Sequence, residues 1–100
     1  MSRKRVTLES FVASSKDRVS SDIGGEIAIL NMKAGMYYGL DAVGARTWAL
    51  IQKPKVVREV KNALLDEYRV EPERCEDDLL ALLNDLAEKG LIEIKNDVYS

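Results

Sequence analysis

The residues best suited to chemistry are scarce. There is no histidine, and Cys75 is the single cysteine among 100 residues. The chain therefore lacks the commonest general base and the commonest zinc ligand. Cys75 has no imidazole to activate it as a nucleophile, and one thiol makes neither an intrachain disulfide nor a paired-cysteine metal site. It is expected as a partly buried thiol near a helix start, where the helix N-terminus favours the thiolate. Carboxylates are plentiful, but Glu71, Glu73, Glu76, Asp77 and Asp78 gather around a turn and a helix start. There they stabilise the helix dipole, and nothing in their spacing brings two of them onto a pocket as acid–base catalysis requires. Gly24-Gly25 has the pattern of neither a dinucleotide nor a P-loop glycine motif. The expectation is a binding protein with no catalytic residues, no metal and no cofactor.

Charge narrows the ligand. Fifteen Lys and Arg against seventeen Asp and Glu leave a net charge of −2, whereas nucleic-acid binders carry a basic excess to neutralise phosphates. No apolar run approaches the roughly 20 residues of a membrane span. The basic start, Met1 to Arg5, is not followed by the apolar stretch of a secretory signal. A single cytoplasmic domain is expected, with no nucleic-acid or membrane partner.

The elements follow from periodicity and turn residues. Residues 1–17 read as a flexible arm with few apolar anchors, although Val6 to Glu9 alternates as a strand would. Arg18–Ile23, Glu26–Met32 and Met36–Leu40 read as three strands. Gly24-Gly25 and the turn ending at Gly35 separate them, which gives an antiparallel meander. Asp41 is a suitable N-cap for a helix over Ala42–Gln52. Lys53-Pro54-Lys55 breaks that helix. A second helix is expected from about Val56 to Tyr68, with Val57, Val60, Leu64 and Tyr68 on one face. A third runs from about Arg74 to Lys89 and stops at Gly90, and Leu91–Ile94 forms a last strand. Three helices, a strand and a turn behind a small sheet suggest an α+β winged helix-turn-helix over residues 18–100.

Two features exceed what a small core demands. In the third helix Leu79, Leu80, Leu82, Leu83, Leu86 and Ala87 span an arc of roughly 160°, where about 100° suffices to face one core. Either the helix is wedged between neighbours, or one edge of the arc lines an apolar groove. Asp78 and Asp85 flank Leu82 and would suit a peptide carrying Lys or Arg. The same helix is too acidic to lie against a phosphate backbone, which disfavours a winged-helix transcription regulator. The second feature is Met36–Leu40, an edge strand with no charge or proline to protect it. Either another part of the chain covers it, or an extended peptide pairs with it. Met36, Tyr38 and Leu40 share one face and Tyr37 points the other way.

The segments Val19–Asn31, Lys33–Trp48 and Asp78–Ile92 together resemble the PqqD-like family. The stretch Gly35-Met-Tyr-Tyr-Gly-Leu-Asp41 followed by Gly44 and Trp48 carries most of the specificity. Within that family the chain resembles the stand-alone recognition proteins of lasso peptide biosynthesis. The resemblance implies a RiPP recognition element, a winged helix-turn-helix with an N-terminal three-stranded sheet that binds the leader segment of a ribosomally made precursor peptide. It places the leader as an added strand between Met36, Tyr37, Tyr38 and Gly39 on one side and Asp78, Leu79, Leu82, Asp85 and Leu86 on the other. It also implies a separate leader peptidase and a macrolactam-forming cyclase as partners. A related peptide carrier of a radical-enzyme pathway, such as quinone cofactor maturation, is the alternative. Lys53-Pro54-Lys55 departs from the family pattern at the start of the second helix.

Overall fold

A computed structural model describes residues 5–15, 18–23, 26–31 and 35–95. In chain order it contains β1 (Phe11–Ser14), β2 (Arg18–Ile23), β3 (Glu26–Asn31), β4 (Met36–Leu40), α1 (Ala42–Leu50), β5 (Lys55–Val56), α2 (Val57–Glu67), α3 (Pro72–Glu88) and β6 (Ile92–Ile94). The fold is mixed α+β, with three helices and two antiparallel three-stranded sheets among the described residues.

The expected meander is present as β2–β3–β4, with β3 in the middle. Its register pairs Ile23 with Glu26 and Ile27 with Leu40. The Gly24-Gly25 turn lies outside the described residues, as do residues 96–100, where the sequence is expected to turn at Asn96-Asp97 after the last strand. Gly35 enters β4 at φ 66°, a left-handed conformation that glycine adopts without a Cβ penalty. Gly90 takes φ 73° just past α3, as the helix-terminating glycine should.

The second sheet departs from the sequence reading. Phe11–Ser14 falls in the stretch read as an arm, yet β1 is the central strand of β5–β1–β6. Val12 is fully buried and Ala13 and Val6 nearly so. The short run Phe-Val-Ala-Ser has no period of its own to announce this. Its partners, Lys55–Val56 and Ile92–Ile94, are remote in sequence. Lys55–Val56 is accordingly a strand, and α2 starts one residue later than expected.

Each helix begins for a local reason. Asp41 Oδ1 accepts from the Gly44 N–H at 2.8 Å, the predicted side-chain cap. The Val56 cap of α2 has no such side-chain bond. Instead the Ser10 and Leu8 carbonyls accept from the Val57 and Arg58 N–H groups at 2.9 and 3.0 Å. Pro72 opens α3 rather than ending the preceding loop, because the first helical position needs no N–H donor. The core runs through the molecule between the sheets and helices, and Ile29, Trp48, Ile51, Val57, Val60, Leu64, Leu83 and Leu91 are buried in it.

Candidate functional site

β4 carries two environments on one strand. Leu40 is buried against the core, Tyr38 is half-buried on the same face, and Tyr37 on the opposite face is 69% exposed. The Tyr37 ring leans along the strand, so that a Cβ built on Gly39 would lie 3.4 Å from its hydroxyl. Among the described residues β4 pairs with β3 alone, which leaves its other edge with unpaired backbone groups.

Beside that edge is a cleft of about 570 Å³. One wall is Tyr38–Leu40 of β4. The floor is the start of α1, with Val43, Gly44 and Thr47. Gly44 permits this because a Cβ there would meet the Leu40 side chain at 3.2 Å, so β4 and α1 approach closely. The facing wall is one stripe of α3, with Arg74, Cys75, Asp78, Leu79 and Leu82, and Leu64, Tyr68 and Val70 close the side. Among the described residues the large hydrophobic side chains that stay exposed are Tyr37, Val43 and Val70. Two of the three line this cleft, so exposed apolar surface is concentrated where a ligand would cover it.

The wide apolar arc of α3 is thus divided. Leu79, Leu83 and Leu86 are buried in the core, and half-buried Leu82 turns to the cleft, with Leu79 reaching both. Of the residues singled out in the sequence, Tyr38, Gly39, Asp78, Leu79 and Leu82 line the cleft. Leu86 is 1% exposed and belongs to the core. Tyr37 stands on the outer face of the strand. Met36 occupies the β4 backbone opposite Asn31, and its side chain lies outside the described residues. Val43, Tyr68, Val70, Cys75 and the charged Arg74 were not expected at the site. Apolar residues near helix ends, which four of these five are, occur at many core positions too, and Arg74 gives no signal beyond its charge.

Asp85 lies one turn beyond Leu82, beside the cleft. Its Oδ2 accepts from the Tyr38 hydroxyl at 2.6 Å, and its Oδ1 accepts from Lys89 Nζ at 2.7 Å. Lys89 Nζ also sits 5.5 Å from the Tyr38 ring centroid. A hydroxyl donating to a carboxylate at this distance is a charge-assisted bond. Asp85 is held below the usual carboxylate range, first by the Lys89 bond and then by the Tyr38 bond. The Tyr38 hydroxyl is pushed up from 10.0 to about 12, chiefly by donating to Asp85. Both oxygens of Asp85 therefore already accept a hydrogen bond, whereas Asp78 lines the cleft with a longer ion-pair contact. Its side chain is 77% exposed, with Arg74 at 3.9 Å. Burial pushes the Cys75 thiol up, with Lys61 opposing and Asp78 adding to the shift. It stays protonated at neutral pH, with desolvation the largest cause and opposite in sign to the helix-start effect anticipated from its position.

These shifts set the pH window of the Tyr38–Asp85 bond. The raised Tyr38 value makes its contribution complete below the ordinary tyrosine range and lost as pH rises through about 12. The depressed Asp85 value makes its contribution complete above the ordinary aspartate range and lost as pH falls through that depressed value. The stability difference between wild type and Tyr38→Phe should accordingly be flat between these limits and shrink at both ends. Denaturant unfolding across pH measures it, and a difference that persists undiminished in strong acid would count against the bond.

Among the described residues no helix is long and apolar enough to cross a membrane, and no cluster of three or more metal-ligating side chains occurs. The family described as coenzyme PQQ synthesis protein D (PqqD) matches residues 26–92, which takes in β3, β4, the three helices and the start of β6. A solved structure described as TbiB1 in complex with the TbiA(beta) leader peptide is similar at 40% sequence identity. The similarity spans 81% of this chain and 94% of that chain, with a TM-score of 0.75. No curated protein matches this chain. Residues 26–92, with β4, α1 and α3 of the cleft inside them, show that the chain belongs to the PqqD family.

Proposed function

We propose that the chain is a cytoplasmic RiPP recognition element that binds the leader segment of a ribosomally made precursor, a lasso peptide precursor in particular. The observation that carries this reading is that one edge of β4, unpaired among the described residues, lies along an apolar cleft walled by α3. An extended peptide can satisfy the unpaired backbone groups of that edge and place alternate side chains into the cleft. The similarity to a protein solved with a leader peptide supports the same use. In this reading α1, α2 and α3 followed by β6 form a winged helix-turn-helix unit, and β2–β4 is the sheet that receives the leader.

The chain itself makes and breaks no bond. It presents the precursor to a separate leader peptidase and then to a macrolactam-forming cyclase, raising the effective concentration of each enzyme at its substrate. The family description favours one second reading, a peptide carrier serving a radical enzyme in quinone cofactor maturation. Titration with the two kinds of precursor separates these readings, since a recognition element holds its own leader and not the other.

Amide exchange tests the binding mode. Adding leader should slow exchange along Met36–Gly39 and protect a matching stretch of the leader, while resonances of Asp78–Leu82 shift at the same leader concentration. Incubated alone with the precursor, the chain should yield neither cleaved nor cyclised product. Protection restricted to the helices, with β4 unchanged, would replace strand addition by a helix-in-groove mode.

A further inference from the structure

We propose that Tyr38 and Asp85 are a positioning pair. The hydrogen bond between them sets the spacing of the β4 edge from α3, and with it the width of the slot that the leader strand enters. The inference rests on the reading that the leader occupies this cleft.

The two partners come from the two facing walls. An edge strand is hydrogen-bonded on one side only, and although Leu40 anchors the end of β4 in the core, the spacing from α3 at Tyr38 depends on what spans the cleft there. Here the span is a 2.6 Å bond from the Tyr38 hydroxyl to Asp85 Oδ2. The acceptor is itself fixed, because Lys89, the C-cap of α3, donates to its other oxygen at 2.7 Å. Lys89 also lies 5.5 Å from the Tyr38 ring centroid, which favours the same placement of the ring. The pair also occupies the end of a binding stripe. Asp78 and Leu82 line the cleft, and Asp85, next on that face of the helix, faces Tyr38 instead. Asp85 thus acts on the ligand through the geometry of the slot, whereas the exposed Asp78, with Arg74 at 3.9 Å, can meet it directly.

A double-mutant cycle on leader binding tests this. Tyr38→Phe keeps the ring and its Lys89 contact and removes only the hydroxyl. Leader affinity is measured by titration well below the melting temperature, with circular dichroism confirming that each variant is folded. Tyr38→Phe and Asp85→Ala should each weaken binding about tenfold, as loss of a hydrogen bond to a charged group would. The double variant should be no weaker than either single one. Asp85→Asn, which keeps an acceptor for the hydroxyl, should recover most of the affinity. Single effects that multiply in the double variant, or a Tyr38→Phe protein that binds like wild type, would overturn the positioning role. A wild-type protein that binds no leader overturns the reading of the cleft, and the role of the pair with it.

Discussion

Leu82→Asp is expected to lower leader affinity by about a hundredfold or more and to leave the protein folded. Leu82 lines the cleft from α3 and is only half-buried in the free protein, so an aspartate there can stay hydrated until the peptide arrives. Binding then strips water from a carboxylate facing apolar side chains, at a cost of at least several kcal/mol. Each 1.4 kcal/mol is about a factor of ten in affinity. Asp78 and Asp85 lie one turn away on either side, and like charges at that spacing repel. Leu86→Asp is the contrast. Leu86 is 1% exposed inside the core, so its replacement should unfold the chain before binding is at issue. The pair of variants, examined by titration and thermal melting together, separates cleft from core on one helix. Unchanged affinity in a folded Leu82→Asp protein would show that the leader does not enter this cleft.

That contrast also marks how far the sequence reaches. Periodicity finds the apolar arc of α3 but not its division, because which leucine meets the core depends on where α1, α2 and β6 lie around the helix. Leu82 and Leu86 are equivalent in sequence and differ only in their surroundings. The β4–α1 junction was legible because its determinants are local: the positive φ of Gly35, the alternation of Met36–Leu40 and the Asp41 cap. On α1 the structure buries Gly44, Thr47 and Trp48 and leaves Val43 42% exposed in the cleft, a division that the helix range and its cap do not determine. Leu40 packs closely on Gly44, so that the Gly44 side of α1 faces β4. Tyr38 and Asp85 were each singled out, but a hydrogen bond between residues 47 apart in sequence leaves no periodic trace.

Removing residues 1–14 should abolish cooperative folding. The segment looks dispensable in sequence, yet three elements depend on it. β5 and β6 each pair with β1 and, among the described residues, with no other strand. Two- and three-residue strands of this kind have no independent stability. The first turn of α2 takes its backbone acceptors from Ser10 and Leu8, and it has no side-chain cap to replace them. On α3, Asn84 Oδ1 accepts from the Val6 N–H at 2.9 Å, tying the chain start to the helix that walls the cleft. Val6 and Val12 are 3% and 0% exposed. Fully burying a valine contributes about 1.5–3 kcal/mol, and each buried donor left without an acceptor costs about 1–3 kcal/mol. Together these losses rival the 5–15 kcal/mol that typically separates folded from unfolded domains. A chain beginning at Ser15 should therefore show no sharp thermal transition and no leader binding, although its β4 and α3 residues are intact. A cooperative melt close to that of the full chain would instead establish residues 1–14 as an accessory arm. The β5–β1–β6 sheet would then not be needed to hold α2 and α3 in place around the cleft.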